Sequence, residues 1–174
     1  LACCTDNLVA PDVALPEENF NTVLYTGNAG TQTITGVGFK SDYTWLKQRN
    51  SSENFFVATS PQDTDFNKYL YGNLTSAEGD RSDGITAVSD DGFSLGSWAN
   101  NNTNNSPYVA WNWKAGGHPT ADNSENAGTT PTAGSVKING ANARSALAGT
   151  MPVTRMSVNT TNGISIVTYD GTSS

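Results

Sequence analysis

Acidic side chains are the commonest ionisable groups here, and their spacing decides what they could do. Cleaving a glycosidic bond needs two carboxylates about 5 to 10 Å apart, one of them a general acid with a raised pKa. The glutamates are Glu17, Glu18, Glu53, Glu78 and Glu125, and no Glu-x-Asp-x-Glu alternation sets carboxylates on one strand face. Asp63 and Asp65 come nearest, in a polar stretch beside Pro61 that reads more simply as a solvated turn or helix cap. The single histidine, His118, sits in Gly116-Gly117-His118-Pro119, a loop where an exposed imidazole is expected and a nucleophilic triad is not. The expectation is a chain without catalytic residues.

Binding fits the residue types better. Asp80, Asp83, Asp90 and Asp91 fall near Gly84 and Gly92, and loop carboxylates and carbonyls suit a hard cation such as Ca2+, although the spacing matches no EF-hand and turn-forming aspartates explain the same pattern. No other cofactor is expected. Carbohydrate binding needs an aromatic ring for stacking and polar groups for hydroxyls. Trp98, Asn100, Asn102, Asn104 and Tyr108 supply both around an Asn-rich run, the competing reading being a ring packed beneath a soluble turn.

With 174 residues and 36% apolar content, the chain fits one thin-cored domain. A formal charge of -7 and 9 scattered basic residues leave no source for phosphate neutralisation, so nucleic acid is excluded as a partner. Only 14% of residues are charged, and solubility rests on Asn, Thr, Ser and Gly, a composition that leans to an extracellular or virion-surface β-protein. No apolar run of about 20 residues and no basic-then-apolar start is present, so neither membrane insertion nor a signal peptide is expected. Cys3 and Cys4 are adjacent in a polar leader. A vicinal disulfide there is strained, leaving free thiols or links to another chain as alternatives.

The elements that must position these residues follow a period of two. Phe39, Tyr43 and Trp45 share one face of residues 38–49, and Val109, Trp111 and Trp113 share one face of residues 108–114, as half-buried strands require. Those tryptophan-bearing faces are expected to be the buried ones. Asp90-Asp91-Gly92 and Gly27-Asn28 read as turns. Helix is confined to short candidates at Asp63 to Tyr71 and Ala141 to Ala148. Short strands without helical crossovers predict an all-β, antiparallel two-sheet sandwich, with most aromatics between the sheets. We divide the chain into an extended leader (1–19), the main sandwich (20–117), a Gly/Thr/Asn-rich insertion with a small hairpin (118–154) and a closing strand or the start of a second repeat (155–174). The last reading comes from a match. Phe20-Asn21-Thr22-Val23-Leu24-Tyr25-Thr26-Gly27 reappears 144 positions later as Ile164-Ser165-Ile166-Val167-Thr168-Tyr169-Asp170-Gly171, with Val, Tyr and Gly identical, as in a bead cut from a multi-domain polypeptide.

Four segments in order carry a family resemblance: GFKSDYTWLKQR (38–49), LYGNLTSAE (70–78), SDDGFSLG (89–96) and YVAWNWKAGG (108–117). Together they resemble the concanavalin A-like, laminin-G-like jelly-roll module repeated in large virion proteins of marine tailed bacteriophages. Ser41 stands where that pattern usually has Pro, which should loosen a turn. Ala58-Thr59-Ser60-Pro61 replaces a more acidic, Arg-containing segment.

The resemblance implies a non-enzymatic virion part, as tail fibre, appendage or capsid surface. It would serve host attachment through weak glycan binding, with copies of itself or other virion proteins as partners. The alternatives are an architectural decoration or cement module without ligand and, further off, a glycan-degrading enzyme relying on Asp63, Asp65, Asp90 or Asp91.

Overall fold

The computed structural model describes residues 15–63, 65–123, 130–143, 145 and 153–171. The leader to residue 14, with Cys3 and Cys4, and Glu125 in the insertion lie outside the described residues.

The chain is all-β, built from β1 (Phe20–Thr26), β2 (Gln32–Thr35), β3 (Tyr43–Gln48), β4 (Phe56–Thr59), β5 (Lys68–Tyr71), β6 (Gly79–Asp80), β7 (Ile85–Ser89), β8 (Gly92–Leu95), β9 (Pro107–Trp113), β10 (Val136–Ile138), β11 (Ala141–Asn142), β12 (Arg155–Asn159) and β13 (Ile164–Thr168). Helix is limited, among the described residues, to a 3-10 turn at Pro16–Glu18 and α1 (Ala99–Asn102). The helix expected from Asp63 to Tyr71 is instead a turn followed by β5, because Tyr69 and Tyr71 alternate into the core as a strand allows.

A six-stranded antiparallel sheet, ordered β1-β9-β3-β4-β5-β6, faces a three-stranded one, β2-β8-β7. The core between them joins Leu46, Phe56, Ala58 and Ala110 of the large sheet to Ile34, Ile85, Phe93 and Leu95 of the small one, with Val37, Phe39, Phe66 and Trp98 contributed by loops. The β7–β8 hairpin turns on Asp90-Asp91, since Ser89 opposes Gly92. Gly92 is required there: a Cβ would run into the Ile34 carbonyl oxygen of β2.

The tryptophan faces are inverted relative to expectation. Thr44, Leu46 and Gln48 of β3 and Tyr108, Ala110 and Asn112 of β9 point inward and are buried, so Tyr43, Trp45, Trp111 and Trp113 lie half-buried on the outer face. Phe39, expected on the same face as Trp45, is a core residue at 3% exposure. The period of two is kept and its phase is not. Rings already fill the interior, where Tyr25 stacks on Tyr108 at 5.0 Å and Trp98 packs against Phe56 and Tyr69 at 5.2 and 4.7 Å.

A third sheet, β11-β10-β12-β13, extends the expected two-sheet plan. It includes a parallel pair, β10 with β12. The β10–β11 hairpin falls within the segment read as an insertion, and β12 and β13 complete its sheet. The sheet is tied to the sandwich at Gly116, whose N–H donates to Ser157 Oγ at 2.9 Å. A Cβ at Gly116 would strike Val158 and Lys137 backbone.

The inverted phase has a stability signature. Leu46→Ala, in a fully buried site, should cost about 2–5 kcal/mol. The larger deletion Trp45→Ala should cost less, because its ring is only partly removed from water. Urea midpoints of the two variants measure this, and a larger loss at Trp45 contradicts the outward orientation.

Candidate binding site

Two places concentrate side chains able to meet a ligand. The first is a cleft of about 600 Å³ between the loop after β9, the 3-10 turn before β1 and the third sheet, lined by Lys40, Asp42, Lys114, His118, Asn139 and Asn159 among others. Its floor is Asp42, at 1% exposure. Asp42 Oδ2 accepts Ala115 N–H at 2.8 Å and Gly117 N–H at 3.1 Å, and Oδ1 accepts Ser60 Oγ–H at 2.8 Å. Three donors satisfy a carboxylate that burial would otherwise penalise.

His118 stands against this cluster. Its ring stacks on Phe66 at 5.1 Å, Nε2 lies 2.9 Å from Ser41 O, and Asp42 Oδ1 is 3.7 Å away. A carbonyl partner requires Nε2 to carry the proton. His118 is thus partly buried and fixed, where an exposed loop imidazole was expected. A nucleophilic triad needs the imidazole between hydroxyl and carboxylate. Here Ser60 bonds the carboxylate directly, so the cluster pins a loop. Ser41, standing where the resemblance has Pro, is fully buried and bonded within its turn: its Oγ donates to Tyr43 O at 2.8 Å and lies 2.9 Å from Thr44 Oγ1.

The second place is the outer face of the six-stranded sheet. Trp113 packs between Phe20 at 4.9 Å and Tyr43 at 5.1 Å, while Trp45 packs between Trp111 at 5.3 Å and Phe55 at 5.6 Å. Tilted and edge contacts hold the rings rigid and leave them partly open to solvent. Thr22 of β1 is exposed opposite Trp111, and Lys47 Nζ is tied to the carbonyls of Gln48 and Ser51 at 2.7 and 2.6 Å. Burial pushes the Tyr43 hydroxyl pKa up, keeping it a neutral donor and acceptor. The sequence signal for this face was the outward half of the alternation, which is as apolar as the inward half.

The residues expected to bind carbohydrate do not form that site. Trp98 is 7% exposed within the core, and Tyr108 and Asn102 are fully buried. Asn102 joins loops instead: its Nδ2 donates to Gly30 O and Gly96 O at 2.6 Å each, and its Oδ1 accepts Asn28 N–H at 2.9 Å and Gln32 Nε2–H at 2.6 Å. Asn100 Nδ2 bonds the Tyr71 hydroxyl at 2.5 Å, and Asn104 is exposed at the turn.

The aspartates considered for Ca2+ lie in separate turns and strands. Asp83 pairs with Arg81 at 3.3 Å, Asp80 opposes Lys68 in the β5–β6 pair, and Asp91 Oδ1 accepts Gly36 and Gly38 N–H at 3.2 and 2.9 Å, with Asp90 beside it in the turn. Among the described residues no three acidic, His or Cys side chains are grouped to hold a metal. Asp63 Oδ2 caps a turn through Asn67 N–H at 3.1 Å, and Asp65 is exposed.

The His118 environment predicts a pH response. Burial lowers its pKa, with Lys40 adding to the effect, against the raising influence of the Ser41 carbonyl and Asp42. The unfolded chain therefore takes up the proton more readily. The stabilisation is full above an unfolded pKa of about 6.5 and is lost as pH falls through the folded value. Wild type should lose more stability than His118→Gln between about pH 7.5 and 5. Urea midpoints at both pH values measure this, and parallel losses would rule it out.

No curated protein and no solved structure matches the chain. Residues 15–137, running from the 3-10 turn through the facing sheets into β10, match the family described as a domain of unknown function, DUF7483, and the chain belongs to that family.

Proposed function

We propose that the chain is a non-enzymatic structural module of a phage virion surface, with a concanavalin A-like jelly-roll arrangement of its facing sheets. It contributes to host attachment through weak glycan contacts multiplied over many copies. The observation that supports this reading best is the aromatic outer face around Trp45, Trp111 and Trp113. Partly exposed rings clustered on one sheet face are a feature of interaction surfaces. Rigid indole rings match the C–H faces of sugars, and the hydroxyls of Tyr43 and Thr22 are placed to meet sugar hydroxyls. This moves the glycan site from the Asn-rich loop to the large sheet. The fold of the module, its virion location and its attachment role rest on the resemblance of the four ordered segments.

Multivalent display on a glycan array tests it. Clustered wild-type copies should retain at least one glycan class, with single-copy affinity of about millimolar. Trp111→Ala and Trp113→Ala should each reduce the clustered signal at least about tenfold, since the loss multiplies across copies. A uniformly blank array would replace this reading with an architectural module lacking a ligand.

A further inference from the structure

β1 and β13 are the two strands related by the 144-residue match, and each is an edge strand: β1 begins the six-stranded sheet and β13 closes the third sheet. Their exposures are complementary position by position. In β1, Phe20, Thr22 and Leu24 are exposed while Asn21 and Val23 are covered; in β13 the counterparts Ile164, Ile166 and Thr168 are half-buried while Ser165 and Val167 are exposed.

The clearest pair is tyrosine. Tyr25 is stacked on Tyr108, sits edge-on to Phe93 at 6.2 Å, and donates its hydroxyl hydrogen to Asn101 O at 2.7 Å. Its counterpart Tyr169 is 59% exposed, and Val167, counterpart of the core-packed Val23, is 40% exposed. Two identical residues that fill a core in one strand thus lie bare in the other.

Backbone polarity agrees. Asn19 O accepts Lys114 N–H at 2.8 Å, Gly27 N–H donates to Ser106 O at 2.9 Å, and Gly27 O accepts Asn105 N–H at 2.9 Å. Alternate residues of a strand present their N–H and C=O to opposite edges. The odd-numbered residues of β1 therefore serve β9, and the even-numbered ones point to its open edge. In β13 the carbonyl of Thr168, counterpart of Leu24, accepts Thr154 N–H at 2.7 Å on the β12 side. Among the described residues, the counterparts of the β9-facing residues have no strand partner on the outer edge of β13.

We infer that β13 is a shared strand: it closes the third sheet of one module and serves as the first strand of a following copy of the same module. The copy's β9-type strand pairs with the open edge of β13, and its core receives Val167 and Tyr169. In return, the open edge of β1, with Phe20 at 41% and Leu24 at 63% exposure, takes the β12-type strand of a preceding copy. The occupant is another DUF7483 module. The family match ends at residue 137, so β12 and β13 stand as the junction between units. The inference does not depend on glycan binding.

A tandem chain tests it. Residues 1–171 joined directly to a second copy of residues 28–174 give the second unit no first strand except Ile164–Gly171. The control joins residues 1–174 to residues 15–174, so that both units carry β1. If the strand is shared, the tandem shows about twice the single-unit near-UV circular dichroism amplitude. Tyr169→Ala then destabilises one of its two units while leaving the Tm of the 174-residue chain unchanged. An amplitude of one unit in the tandem, with two in the control, overturns the inference. A second variant needs no tandem: Phe20→Ile, Asn21→Ser, Thr22→Ile, Leu24→Thr and Thr26→Asp together write the β13 sequence into β1. The shared-strand reading expects cooperative unfolding to persist, and an unfolded product contradicts it.

Discussion

The buried carboxylate of Asp42 is the contact on which the joint between the six-stranded sheet and the third sheet depends. It lies just before β3, binds Ser60 just beyond β4, and binds the backbone of Ala115 and Gly117 where the chain leaves β9. The carboxylate satisfies those two N–H groups, and it could not remain buried without such donors. Between them sits Gly116, whose N–H reaches Ser157 and whose missing side chain lets the third sheet close against the loop. One side chain thus fixes where the large sheet ends and where the next sheet begins. Asp42 builds a junction with groups that, differently ordered, would resemble a hydrolytic site.

The second constraint is that the six-stranded sheet is apolar on both faces. A sheet with one solvated face normally alternates polar outward residues with apolar inward ones. Here the outward Tyr43, Trp45, Trp111 and Trp113, beside Lys47, are as apolar as the inward set, in which Leu46, Tyr108 and Ala110 stand with the polar Thr44, Gln48 and Asn112. The inward polar residues find internal partners, the Thr44 hydroxyl sharing its hydrogen between Ser41 Oγ at 2.9 Å and Asn112 Oδ1 at 3.2 Å, and Asn112 Nδ2 donating to Ala110 O at 3.3 Å. With inward polarity paid for by internal hydrogen bonds, large rings can be spent on the outside, where they shield one another but not completely.

This accounts for what could be read in the sequence. Strand positions, the Asp90-Asp91 turn and the all-β class followed from a period of two and from turn chemistry, both local properties. Phase did not follow, because hydrophobicity marks the buried face only when the other face is polar. The Asn-rich run was misread for a related reason. Asparagine is equally suited to a solvated turn and to a buried hub, and only the convergence of Gly30, Gly96, Asn28 and Gln32 on Asn102 makes it the latter. The third sheet depends on a parallel pairing between β10 and β12. Parallel partners carry no hairpin signal, so nothing local announced it. His118 looked solvated because its partners, Phe66, Ser41 and Asp42, lie some 50 to 77 positions away in sequence.

The aromatic face and the shared strand bear on each other through geometry. Weak contacts gain from repetition only when successive sites are held at a spacing that a surface can satisfy together, and a loose linker dilutes that gain. A strand that belongs to two sheets leaves no linker at that point: hydrogen bonds on both edges would orient one unit against the next. The outer ring face begins at β9, the strand beside β1, so Phe20 and Leu24 of a shared strand would lie next to Trp113 and Val109 of the same sheet. A preceding unit docked on β1 would then stand at the border of the aromatic surface and set how much of it stays open. Attachment strength in such an array would be governed by the junction as much as by the rings, and no single copy would need a strong site of its own.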